Sequence, residues 1–106
     1  MPGTLVGSFE MKILLAIIHL KGEAYGVSIA EEIEERLGKS VSVGSLYTAL
    51  DRLEEKGFVG AKFGDPTAAR GGKAKKFFRV TAKGLSALRE SMANIARIQD
   101  AWVLPS

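Results

Sequence analysis

Residues 41–57, VSVGSLYTALDRLEEKG, have the pattern of a short helix held down on one side and bare on the other. At about 100° per residue, Val43, Leu46, Leu50 and Leu53 fall in one quadrant, while Gly44, Ser45, Thr48, Asp51, Arg52 and Glu55 lie opposite. The first set is expected to face the core and the second to be presented outward. Ser42 is placed to cap this helix and Gly57 to stop it. Short side chains near a helix N-terminus keep the backbone amides accessible, so the bare face can approach another molecule closely.

Upstream, Met1 to Gly7 carries Pro2, Gly3 and Gly7 and reads as a loose arm, with an arm boundary at about residue 8. Ser8 is placed to cap a helix from Phe9 to about Leu20 that is apolar on nearly every side. Such a helix needs cover all round, so one side is expected on the domain core and another on a partner subunit. Tyr25-Gly26 opens a second helix reaching Leu37, with Val27, Ile29, Ala30, Ile33 and Leu37 as its buried stripe and Gly38 as its stop. Glu31, Glu32, Glu34 and Glu35 make its other face acidic, which points that face to solvent.

Downstream of Gly57 the period changes from helical to extended. Phe58 to Phe63 and Lys76 to Thr81 read as two strands, joined by GDPTAARGGKAK, a connector too long for a tight hairpin. Alternation puts Phe78 and Val80 toward the core and Phe77 with Arg79 on the opposite face, where Arg79 can brace the hairpin or meet phosphate. Thr81 then caps a last helix to about Trp102. On it Leu85, Leu88, Met92, Ile95, Gln99 and Trp102 follow spacings of three and four, a heptad seam that argues for a second copy of the chain.

With 106 residues, 46% of them hydrophobic and 25% charged, the chain fits one small globular domain that an oligomer would help to stabilise. There is no cysteine, which excludes disulfides, thiolate metal sites and a cysteine nucleophile and is compatible with a reducing, cytoplasmic setting. The N-terminus lacks a basic region followed by an apolar run, and the longest apolar run, Ile13 to Ile18, is far too short to span a bilayer, so no membrane association is expected. His19 stands alone without metal-ligand spacing and reads as structural; no cofactor is implied. No nucleophile and base pair, paired carboxylates in a cleft or phosphate-cradling glycine loop supports an enzyme.

Charge is uneven along the chain. Residues 1–37 hold three basic and six acidic side chains, a net of −3, whereas residues 38–80 hold nine and four, a net of +5. Positive charge therefore gathers around the presented helix, as on a surface that meets phosphates. Three helices, a two-stranded hairpin and a further helix describe an α+β, mostly α chain: a winged helix-turn-helix over residues 9–81 with an additional C-terminal dimerisation helix over 82–106. In that arrangement the helix at about 43–56 enters the major groove of DNA and the wing at about 58–80 lies over the backbone.

The local motifs match a known family. Tyr25-Gly26, SVGSLYTALDRLEEKG and KKFFRVTAKG together make the chain resemble PadR-type transcriptional regulators over roughly Phe9 to Met92. The resemblance implies a dimeric DNA-binding repressor joined through its first and last helices. The segment from Gly64 to Lys75 looks longer than the family's usual wing, and the single C-terminal helix is similar to the compact subgroup.

The expected DNA contacts are Ser42, Gly44, Ser45, Tyr47, Thr48 and Arg52 on the presented helix, with Arg70, Lys73, Lys75 and Lys76 on the wing. Tyr47 stands at the edge of the apolar stripe, as core or surface; the corresponding tyrosine of the family lies at the DNA surface, which favours the latter. Arg52 can reach backbone or a guanine edge, or pair with Asp51 and Glu55. Expected dimer contacts are Phe9, Ile13 and Ile17 with Leu85, Leu88, Met92, Ile95, Gln99 and Trp102. Trp102 is either an ordinary dimer-core residue or a wall of an apolar pocket for a small aromatic effector, since some compact family members hold planar aromatic compounds there. The expected partners are thus a palindromic double-stranded operator and a second copy of the chain; the competing reading is a winged helix used for protein-protein contact without DNA.

Overall fold

A computed structural model describes residues 5–64 and 75–105. The elements follow in the order α1 (Ser8–Leu20), α2 (Gly26–Leu37), α3 (Val43–Glu55), β1 (Val59–Phe63), β2 (Lys76–Val80) and α4 (Ala82–Ala101). This is a winged helix-turn-helix followed by one long helix, as expected. Arg70 and Lys73, with residues 65–74 of the connector that carries them, lie outside the described residues.

One core joins all six elements. Ile13, Leu14, Ile29, Leu46, Leu50, Leu53 and Phe58 are its largest fully enclosed side chains, with Phe78 and Leu88 closing it from the sheet and from α4. β1 and β2 pair antiparallel with Val59 opposite Val80 and Ala61 opposite Phe78, so alternate residues of the hairpin cover the core. Phe78 and Val80 take the core-facing side, as their parity requires. A two-stranded ribbon is marginal alone. Here Phe78 N–H donates to the Ala24 carbonyl at 2.8 Å, which ties β2 to the segment just before α2.

The helix ends have local causes. Ser42 Oγ accepts from Ser45 N–H at 3.4 Å and Thr81 Oγ1 accepts from Gly84 N–H at 3.0 Å, so both expected caps are in place. The cap of α1 differs: Gly7 occupies the N-cap position and its N–H donates to Glu10 at 3.3 Å, which puts Ser8 inside the helix. Gly57 turns the chain from α3 into β1 at φ 77°, a conformation that a side chain would resist. The start of α4 lies directly against β1, where a Cβ on Gly84 would overlap the Phe58 carbonyl oxygen.

Several expectations need correction. Val27 points away from the core because it is nearly half a turn from the Ile29–Ile33 stripe, and Leu37 lies where that stripe runs off the end of α2. Val43 is on the expected stripe of α3 yet 62% exposed, because it is the first residue of the helix and burial along the stripe begins one turn on, at Leu46. The arm expected over residues 1–8 is anchored at Val6, which is buried and donates its N–H to Ser91 Oγ at 2.8 Å. Glu34 leaves the solvated acidic face to accept the Val41 N–H at 2.7 Å, fastening the turn between α2 and α3.

Candidate nucleic-acid interface

The outward side of α3 is bare. Ser42, Gly44, Ser45, Tyr47, Thr48 and Arg52 are all exposed, and nothing but the hydroxyl of its own capping residue, 4.0 Å away, comes near the position of a Cβ on Gly44. Buried Leu46, Ala49, Leu50 and Leu53 pin the opposite side, so the outer face is rigidly offered. Arg52 has no carboxylate within ion-pair distance among the described residues, so neither Asp51 nor Glu55 neutralises it.

Beside this face runs an open cleft of about 930 Å³ whose far wall is the start of α1. Gly7, Ser8, Phe9 and Glu10 line it opposite Ser45, Thr48, Arg52 and Lys56. Lys56 Nζ lies 3.4 Å from Glu10 Oε2 and closes one end. Sequence reasoning placed no part of α1 here. The first turn of α1 is brought beside α3 by tertiary packing, and a chain-local pattern carries no signal of that approach.

The wing root is held in two places. Lys76 Nζ lies 3.1 Å from Glu54 Oε1 on α3, so part of its charge is committed inside the molecule. Lys75 Nζ stands 4.3 Å over the ring of Tyr25, whose edge in turn meets Phe77 with ring centres 5.6 Å apart. Arg79 folds across its strand partner Gly60, where the absent side chain leaves room for the guanidinium. It therefore braces the hairpin, one of its two expected roles.

Tyr47 is 47% exposed, so of its two readings the surface one describes it. Its phenol nonetheless lies against the backbone of Gly26 at the start of α2. His19 joins Glu32 and Arg36 in a surface cluster, with His19 Nε2 3.8 Å from Glu32 Oε2 and Arg36 Nε 2.9 Å from the same oxygen. Among the described residues no cluster could hold a metal ion, and no helix is long and apolar enough to cross a membrane.

The residues expected at a two-fold interface divide. Ile13, Ile17 and Leu88 are enclosed within the subunit's own core, and Phe9 and Leu85 are half-buried. Met92, Ile95, Gln99 and Trp102 remain on the surface, joined by Leu15 and Ile18 of α1 and by Ile98, Val103 and Leu104. The sequence could not separate the two sides of α1, because both are apolar. Burial along α4 ends at Ser91, so its second half projects from the domain with its apolar residues uncovered.

A helix-turn-helix with a bare outer face, flanked by a basic wing, defines the winged-helix class of transcriptional regulators. The model of the Transcriptional regulator PadR-like family matches residues 14–90, and the chain belongs to that family. It is 33% identical over 90 residues, 83% of this chain and 79% of the other, to an uncharacterised protein of Lysinibacillus sphaericus. Among solved structures it is similar to a PadR family transcriptional regulator of Eggerthella lenta, with 25% identity, a TM-score of 0.70 and coverage of 88% of this chain and 82% of that one. It is also similar to a PadR-like transcription factor of Bacteroides fragilis, with 26% identity, a TM-score of 0.73 and coverage of 88% and 84%.

Proposed function

We propose that this chain is a homodimeric, sequence-specific DNA-binding repressor of transcription, acting in the cytoplasm. The observation that carries the reading is the outer face of α3, where Ser42, Gly44, Ser45, Tyr47, Thr48 and Arg52, unpaired among the described residues, stand exposed over a rigid apolar underside. Its N-terminal turns enter the major groove, where hydroxyls and Arg52 meet base edges and the first amides meet a phosphate. Asp51 and Glu55 repel phosphates farther along the helix, so Lys75, Lys76 and the basic side chains of the wing connector supply backbone affinity.

Dimerisation is supported by the uncovered apolar residues of α1 and α4, Leu15, Ile18, Met92, Ile95, Ile98 and Trp102. A second copy related by two-fold symmetry sets two α3 helices on half-sites about one helical turn apart, which calls for a palindromic operator. Trp102 is 72% exposed in the single chain, so any pocket for a small aromatic effector is completed by the second copy. The competing role, a winged helix for protein contact alone, would need an apolar outer face on α3, and Gly44, Ser45 and Thr48 do not provide one.

The test is a mobility-shift titration on the chain's own upstream region and on a random duplex of equal length. Preferred binding to an inverted repeat, at a stoichiometry of two chains, is the expected result. Failure to bind any duplex at low salt would overturn the reading.

A further inference from the structure

The start of α2 is the place where the wing and α3 reach the same short segment. Gly26 is buried, and a Cβ built on it would overlap the Tyr47 hydroxyl and stand 2.6 Å from Tyr47 Cζ. The phenol thus lies across the first turn of α2 in space that only a hydrogen at position 26 leaves open. The neighbouring residue faces the wing: the edge-to-face contact of Tyr25 with Phe77, the Lys75 ammonium over its ring and the Phe78 N–H bond to Ala24 all converge there.

We propose that Tyr25 and Gly26 are positioning residues for DNA binding, acting as a two-residue clamp that sets the wing against α3. The proposal rests on the DNA-binding reading above. A recognition helix and a wing that meet one duplex must keep a fixed separation, and the hairpin's own two strands do not supply it. The side chain of Tyr25 fixes the strand that begins at Lys76 together with Lys75 just before it. The missing side chain of Gly26 lets Tyr47 lock α3 to the same turn. Neither residue has to touch DNA.

The test uses full-length Gly26→Ala, Tyr47→Ala, the double variant, Tyr25→Ala and Tyr25→Phe, each followed by thermal unfolding and by operator binding across a salt series. Gly26→Ala is expected to lower the thermal midpoint in the presence of Tyr47 and much less so in the Tyr47→Ala background, where the three atoms nearest the added methyl are gone. It should weaken operator binding about tenfold, with the double variant binding no worse than Tyr47→Ala. Should Gly26→Ala alone fail to fold, recovery of folding in the double variant carries the same conclusion. Tyr25→Ala is expected to lose about fivefold in affinity and to flatten the salt dependence as wing contacts to phosphate are lost, while Tyr25→Phe, which keeps the ring, restores both. Additive effects at positions 26 and 47, or unchanged affinity and salt slope in Tyr25→Ala, overturn the proposal while wild-type binding stands. Absence of wild-type binding overturns the DNA reading and the clamp with it.

Discussion

Lys76, the first residue of β2, places its ammonium 3.1 Å from the carboxylate of Glu54 in the last turn of α3. The wing root and α3 are thereby joined by opposite charges, which commits a cation of the wing inside the molecule. The pair is partly solvated, so it contributes no more than about 1 kcal/mol to stability. Glu54→Gln should therefore leave the thermal midpoint nearly unchanged and strengthen binding to random duplex, because a negative charge near the backbone is removed and Lys76 is released. Weaker binding in this variant would mean that the brace outweighs the charge.

Arg52 is the long basic side chain on the outer face of α3 and is unpaired among the described residues. If it reads a base edge, Arg52→Ala should cost about 1–3 kcal/mol on the operator and relax preference at one base position. An equal loss on operator and random duplex would assign it to phosphate instead. Competition titrations at constant salt separate the two.

Gly84→Ala places a carbon against the Phe58 carbonyl oxygen and 3.0 Å from Phe58 Cα, atoms of the backbone that cannot rotate away. The expected loss is about 2 kcal/mol or more, read as a shift of the urea midpoint. A midpoint near that of the wild type would contradict the close approach of α4 to β1.

Ser91 is buried on α4, accepts the Val6 N–H at 2.8 Å and donates to the Ala87 carbonyl at 2.7 Å. Ser91→Ala leaves a buried N–H without its acceptor, which costs about 1–3 kcal/mol. Hydrogen exchange should localise the effect to the Val6 amide, and a global increase with no excess at Val6 would count against the anchor.

Ile98 and Trp102 lie on the uncovered part of α4. Ile98→Asp should leave the monomer fold intact by circular dichroism and shift sedimentation to a single-chain species, since the side chain supports nothing within its own subunit. A wild-type chain that sediments as a monomer at micromolar concentration would remove the basis for two-fold operator recognition.

Local chemistry decided the elements. Ser42 and Thr81 have the short hydroxyl side chains that cap, Gly38 and Gly57 take the positive φ that ends a helix, and the change from helical to alternating period after Gly57 leaves one arrangement of elements open. The bare face of α3 was legible for the same reason, because Gly44, Ser45, Thr48, Asp51, Arg52 and Glu55 carry its whole pattern within one helix.

What each apolar residue covers was decided by tertiary structure alone. Val43 has the right phase on α3 and is exposed, whereas Leu46, one turn on along the same stripe, is sealed. Ile13 and Leu15 are equally apolar on α1, yet one is sealed in the core and the other faces out. The same holds for the interface: Glu10 meets Lys56, Tyr47 rests on Gly26 and Tyr25 on Phe77 across gaps in sequence that no periodicity spans. A sequence determines the period and the turns because those energies are local, whereas the partner of a side chain depends on how whole elements pack.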